Sequence, residues 1–252
     1  MPRKTHKQPH ILTVAIQKGG TGKTTTAAIL SQAAAKCFNY KVLAIDLDPQ
    51  GNLTYCLGAD PTQGNSYALL MGEPATEQIQ TTSQGIHVIP ASWDLSTVTS
   101  AKGSARRLEK AVKPLMEQYD LIVIDTPPTA GELQYNALQT ATDVIIPLKA
   151  DPYSVQSFYQ IADTVKQIQQ TNLDLKHIDA VLTQYDKRST LARQMADTIK
   201  DIAESLDINF LGTVRNGIAV QEAAGLNESI YDYAPNSNPA MDYLEVFKKT
   251  KL

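Results

Sequence analysis

The sequence is poor in the residues that build covalent or metal-held scaffolds. Of 252 residues only Cys37 and Cys56 are cysteine, too few and too far apart for a disulfide framework or a zinc site. The four histidines, His6, His10, His87 and His177, have no ligand spacing relative to them. No apolar run approaches the roughly 20 residues that cross a bilayer. The N-terminal basic residues are not followed by a signal-peptide core, because the apolar run Ile11–Ile16 is short. An excess of one charge is missing too: 23 Lys and Arg against 26 Asp and Glu leave a net charge of −3. Without a global basic field, any nucleic-acid contact must come from a local patch. Long linkers, internal repeats and low-complexity tracts are also absent. The expectation is a soluble, cytoplasmic chain, long enough for one domain with a full core.

Short apolar runs alternate with amphipathic stretches along that chain. Strands are predicted at Ile11–Gln17, Lys41–Asp46, Ile86–Pro90, Leu121–Asp125, Val144–Leu148, Ile178–Thr183 and Phe210–Val214. Helices are predicted near 23–36, 104–117, 132–141, 154–170, 190–206, 217–225 and 239–249, with Pro114 kinking or splitting its segment. Near-continuous Val/Ile/Leu runs indicate strands buried on both faces. The fold class is therefore α/β: a single domain with a mostly parallel, twisted sheet of about seven or eight strands and helices on both faces. Residues 1–10, with Arg3, Lys4 and Lys7, read as a flexible basic arm, and 11–252 as the domain. Asp60–Gln84 is the least regular stretch.

Directly after the first strand comes Lys18-Gly-Gly-Thr-Gly-Lys-Thr-Thr25, and then a helix-forming segment. Strand, glycine-rich loop and helix in that order suit a triphosphate. Gly19, Gly20 and Gly22 let backbone N–H groups turn inward around phosphate oxygens, and the helix directs its positive end at the anion. Lys23 can neutralise β/γ charge and Thr24 offers a hydroxyl to Mg²⁺; Thr21 and Thr25 complete the loop. The usual phosphate-loop pattern has glycine six residues before that lysine, yet position 17 is glutamine and position 18 a second lysine. A dinucleotide reading fails, because its third glycine position is Thr25 and Lys23-Thr24 is left unexplained.

The double-lysine loop resembles the deviant Walker A motif of the ParA/MinD ATPases, P-loop NTPases. Asp46-Leu-Asp48-Pro-Gln-Gly-Asn52 is similar to the second acidic motif of ParA/Soj-type partition proteins, and Leu121–Pro128 to their Walker B strand. Asn136-Ala-Leu, Asp143–Pro147, Leu182–Asp186 and Glu222-Ala223 extend the likeness over nearly the whole chain. The resemblance implies ATP and Mg²⁺ as ligands. Thr24 would ligate the ion, with Asp125 holding it through water and Asp46 supporting its water shell. Asp48 would position the attacking water and Lys18 would reach the partner subunit's phosphates in an ATP-dependent homodimer. Asp46 and Asp48 can also be read as turn caps, and Lys18 as a solvated loop residue. Arg215 and Asn216 lie where a loop would frame the adenine.

The resemblance further implies a slow, partner-stimulated ATPase that binds double-stranded DNA without sequence preference. With a ParB-like partner it would segregate plasmid, mobile-element or chromosomal DNA on the nucleoid. DNA contacts would come from Lys187, Arg188, Arg193 and Arg215, or from the cluster Lys102, Arg106, Arg107, Lys110 and Lys113, although solvated helix faces also carry such charges. The alternative is a MinD-like membrane-positioning ATPase, which ends in a basic amphipathic helix. The terminal segment has Met241, Leu244 and Phe247 on one face, but Asp242 and Glu245 dilute its charge, so no membrane role is expected. Related iron–sulfur reductases need cysteines beyond Cys56, and related tyrosine kinases need denser tyrosine tails than Tyr231, Tyr233 and Tyr243.

Overall fold

The computed structural model describes residues 9–98 and 104–252. The expected arm 1–10 lies outside them except for Pro9 and His10, as does Lys102. His10 already belongs to the sheet: it opens β1 (His10–Val14), and its Nδ1 donates to Asp143 at 3.0 Å.

After β1 come α1 (Lys23–Cys37), β2 (Val42–Asp46), α2 (Asn52–Leu57), α3 (Ser66–Leu70), β3 (Gln80–Thr81) and β4 (His87–Ile89). The middle of the chain holds α4 (Arg107–Val112), β5 (Leu121–Asp125), α5 (Glu132–Thr140), β6 (Asp143–Lys149) and α6 (Tyr153–Gln169). The last part holds β7 (His177–Tyr185), α7 (Thr190–Ser205), β8 (Asn209–Arg215), α8 (Ala219–Gly225), α9 (Ile230–Tyr233) and α10 (Asn238–Lys249). One sheet runs β3-β4-β2-β5-β1-β6-β7-β8. Every pairing is parallel except the two-residue edge strand β3 against β4.

Alternation explains why these strands read as continuous apolar runs. Ile11 faces one layer and Leu12 the other; the same holds for Leu43 and Ala44, and for Ile122 and Val123. Each layer is filled by crossover helices, so both members of each pair are buried. One layer holds α1 and α10, with Tyr243, Val246 and Phe247 against the alanine-rich α1. The opposite face is covered by α3, α4 and α5 at one end and by α6 and α7 at the other.

Pro114 splits its segment as expected: α4 stops at Val112 and a 3₁₀ stretch continues to Gln118. The irregular 60–84 segment is organised by side-chain bonds invisible to hydrophobic periodicity. Asn65 caps α3, and Ser66 donates to the Asp46 carbonyl at 2.6 Å. The apolar stripe expected on α10 only partly coincides with its buried face: Phe247 belongs to both, and Leu244 is half-buried. Pro239, Ala240, Tyr243, Val246 and Phe247 face inward, while Met241 is exposed.

Candidate active site

β1, β2 and β5 end side by side, so their C-terminal loops converge at the edge where open parallel sheets take ligands. Gly20 (φ +71°) and Gly22 (φ +84°) occupy the left-handed region, and Gly22 is the N-cap of α1. A side chain at Gly22 would be strained and would come within 3.4 Å of Thr183 Oγ1. Gly19 lies outside that region, so the inward turn rests on the other two glycines. The end of β7 pins the loop: Thr183 Oγ1 donates to the Thr21 carbonyl at 2.7 Å and Gln184 Nε2 to that of Gly20 at 2.9 Å.

Lys23 is only 7% exposed. Its Nζ curls back to donate to the Lys18 carbonyl at 2.9 Å. Burial lowers its pKa, against the pull of Asp125 and Asp48. Thr24 donates through Oγ1 to Asp125 Oδ2 at 2.7 Å. Asp125 is fully buried at the end of β5, and burial, reinforced by Asp46, pushes its carboxyl well above the usual range. A buried carboxylate beside a hydroxyl at a phosphate loop demands a cation. No cluster of three or more His, Cys, Asp or Glu that could cage a metal occurs among the described residues. That sparse oxygen donor set fits Mg²⁺, which keeps waters and takes most ligands from phosphates, better than it fits a metal needing an all-protein cage.

The second acidic motif divides in two. Asp46 is fully buried and accepts from Thr54 N (2.8 Å), Thr54 Oγ1 (2.8 Å) and Asp48 N (3.1 Å). Burial pushes its pKa up to about 6. With three donors around it, Asp46 clamps the 46–54 turn; the geometry supports the capping reading over the magnesium-shell role expected from the sequence. Asp48, 7% exposed, accepts among the described residues only from Gln50 N at 3.0 Å, through Oδ1. It also lines a cavity of about 410 Å³ with Pro127–Gly131 and Gln134.

Lys18 is not simply solvated. Its Nζ contacts both Asp151 carboxylate oxygens at 2.6 and 2.7 Å, donates to Ser154 Oγ at 3.1 Å, and lies 5.9 Å from the Tyr153 ring centre. Thr25, Arg215 and Asn216 meet in a separate cavity of about 210 Å³, with Gly22, Thr183 and Tyr243. That is the expected place for a base. The Arg215 guanidinium is bound to Asp242 on α10 at 2.6 and 2.8 Å, which withdraws it from a DNA-contact role. Lys187 and Arg188 in the β7–α7 connection and Arg193 in the first turn of α7 are exposed. Arg188 is paired with Asp186 at 3.1 Å, and Arg193 donates to the Lys187 carbonyl at 2.8 Å. In the other basic cluster, Arg106 is held by Glu109 and the Thr171 carbonyl.

Sequence reasoning missed the supporting residues Thr54, Asp151, Ser154, Thr183, Gln184 and Asp242. Asp151 had a signal, since it is a further carboxylate just past a strand end. Thr183 and Gln184 lie in the Leu182–Asp186 segment already noted for its likeness, whereas Thr54, Ser154 and Asp242 carry no local signal, because the fold sets their partners.

Comparison with known proteins agrees with this geometry. A family model described as an AAA domain matches residues 9–178. The chromosome-partitioning ATPase Soj of Thermus thermophilus is 34% identical, over 92% of this chain and 91% of its own. Cobyrinic acid a,c-diamide synthase from Mycobacterium smegmatis, solved with bound ADP and magnesium, superposes with a TM-score of 0.80 at 31% identity, covering 95% of this chain and 93% of its own. A plasmid partition protein from Borrelia burgdorferi bound to AMPPNP gives 0.77 at 28% identity, covering 96% and 98%. With the double-lysine loop, the Thr24–Asp125 pair and Asp48 gathered at one sheet edge, the chain belongs to the ParA/Soj family of partition ATPases within the ParA/MinD superfamily.

Proposed function

We propose that the protein is a Mg²⁺-dependent ATPase that dimerises on ATP, binds DNA without sequence preference and drives DNA segregation with a ParB-like activator. The observation that carries the reading is the phosphate loop with both Lys18 and Lys23, set against Thr24 and Asp125. Lys23 and the loop amides hold the phosphates, and Thr24 and Asp125 hold Mg²⁺, with Asp125 acting through water. The bound ion neutralises phosphate charge. Asp48, with Oδ2 free of hydrogen bonds from the described residues, orients the attacking water. Lys18 leaves Asp151 to reach the phosphates of the partner subunit. Arg215, fixed by Asp242, and Asn216 frame the base.

The contacts to DNA are phosphate contacts from Lys187, Arg188 and Arg193. Such binding falls steeply with salt and ignores base sequence. It places the protein in the cytoplasm on the nucleoid. The burial of Tyr243, Val246 and Phe247 favours this over a MinD-like membrane role, since α10 packs its apolar face onto the domain. Co-sedimentation with non-specific DNA and, in parallel, with anionic liposomes tests the reading. Binding to DNA only with ATP supports it. Binding to liposomes but not to DNA at low salt overturns it.

A further inference from the structure

Position 17, where the usual phosphate loop has glycine, is tied into a relay that ends at the Asp48 cavity. Thr164 Oγ1 donates to the Gln160 carbonyl at 2.9 Å, so its oxygen is left to accept. It accepts from Gln17 Nε2 at 3.3 Å. The same Nε2 donates to Gln134 Oε1 at 3.2 Å. Those two contacts fix the Gln134 amide: its oxygen faces Gln17, so its Nε2 faces the other way. That Nε2 is buried and has no partner among the described residues, and Gln134, fully buried on α5, borders the cavity of about 410 Å³ that Asp48 also lines. Flipping the Gln134 amide alone would oppose two N–H groups, and flipping both amides would take the Thr164 hydroxyl from the Gln160 carbonyl.

A buried donor without a partner is costly, and each one in a folded protein calls for an explanation. Here the cavity offers one: an acceptor that enters with the substrate. We infer that Gln134 contacts the substrate of the reaction, donating from Nε2 to the oxygen of the attacking water, and that Gln17 is the positioning residue that sets its amide. This rests on the reading of Asp48 as the carboxylate that orients that water.

The division of labour is chemically complete. The water oxygen bonds to the γ-phosphorus as the β–γ bridging bond breaks, and that electron pair leaves on ADP. One water proton is accepted by Asp48 and passed to the released phosphate. Gln134 neither gains nor loses a proton. Its N–H occupies one lone pair of the water, so the other is directed at phosphorus. A donor on one side and an acceptor on the other hold a single orientation better than a carboxylate alone.

The test measures Mg²⁺-dependent turnover, ATP and ADP affinity, and nucleotide-dependent dimerisation in Gln134→Leu, Gln134→Glu, Gln17→Leu and Asp48→Ala. Gln134→Glu keeps the side-chain volume and the acceptor for Gln17 but loses the donor, so it remains informative should Gln134→Leu fail to fold. Both Gln134 variants should lose about 10- to 100-fold in kcat, with KM for ATP within about threefold of wild type and the dimer retained. Gln17→Leu should lose less, and adding it to Gln134→Leu should cost nothing more, because the two act in series. Wild-type turnover in Gln134→Glu overturns the inference. So does a selective loss of ATP over ADP affinity, which would assign the donor to a γ-phosphate oxygen instead. Wild-type turnover in Asp48→Ala overturns the underlying reading of Asp48, whatever Gln134 does.

Discussion

At the C-terminal edge of the sheet, Asp46 and Asp125 end β2 and β5 as register partners. At the N-terminal edge, Asp143 opens β6 and Asp179 lies near the start of β7. All four carboxylates are at most 6% exposed, yet they are met differently. Asp143 is met by the His10 imidazole at 3.0 Å and the Thr142 hydroxyl at 2.5 Å, and Asp179 by the Asn209 amide at 2.9 Å. Among the described residues Asp125 is offered only the hydroxyl of Thr24 and its neighbour's N–H, with another carboxylate beside it. Asp46 beside it is met by three donors, so the contrast lies between Asp143, which the chain satisfies by itself, and Asp125, which it leaves in need of a cation. Burial alone does not mark a site; unmet demand at a burial point does.

The comparison breaks most decisively at Lys23. Lys23→Ala removes the main phosphate cation and should weaken ATP binding at least ~100-fold, about 3 kcal/mol, by equilibrium titration. Asp48→Ala should bind ATP normally while turnover falls by about two orders of magnitude, and equal turnover would end its assignment.

Next, substitutions at Asp125 and Asp143 should act with opposite sign. Asp125→Asn removes a buried, underpaired charge, so the nucleotide-free protein should gain about 1–3 kcal/mol in denaturant unfolding while losing magnesium-dependent nucleotide binding. Asp143→Ala should cost about 1–3 kcal/mol, because it strands the His10 and Thr142 donors. The same sign for both would dissolve the contrast.

A pH series sharpens it further. Burial raises the Asp179 pKa to about 6, with Asp143 adding to the rise and Asn209 and Lys251 opposing it. The folded state thus holds this proton more tightly than the unfolded one. The resulting stability is fully present below about pH 4 and is lost as pH rises through about 6. Asp179→Asn should flatten that slope and raise stability at pH 7.5 by about 1–2 kcal/mol. An unchanged slope would show that Asp179 titrates normally.

The smallest effect concerns Lys18, the loop lysine that the chain does satisfy, through Asp151. Removing a half-exposed ion pair of this kind shifts equilibria by about 0.2–1 kcal/mol. Asp151→Ala should therefore lower the ATP concentration for half-maximal dimerisation by about two- to fivefold in light scattering, in an Asp48→Ala background. Lys18→Ala should abolish that dimer. A tight ATP dimer without Lys18 would reduce it to a loop residue.

What could be read from the sequence follows the range of the forces involved. β1, β2, β5, β6, β7 and β8 were legible because apolar runs report burial directly. The phosphate loop was legible because its chemistry is contiguous from Lys18 to Thr25. β3 escaped notice because two residues at a sheet edge carry no period, and α2 and α3 because each is little more than a turn. Asp46 occupies a ligand's position in the sequence, and only the fold shows Thr54 donating to it. Arg215 likewise shows its pairing with Asp242 only once α10 is in place. Gln134 had no signal at all, since its partner at position 17 lies on a different strand's loop.

The placement of β1 has a consequence for how the protein is made. Its partners are β5, through His10 opposite Leu121, and β6, through Leu12 opposite Asp143. A ribosome adding about 5–20 residues per second needs roughly 7–27 s to go from β1 to the end of β6. During that interval the glycine loop exists without the strands that hold its edge, and β1 is an apolar ribbon with both sides unpaired. The most nucleotide-specific segment of the chain is thus emitted early and finished late. The order of synthesis, as much as the sheet itself, sets when the protein can first hold a phosphate.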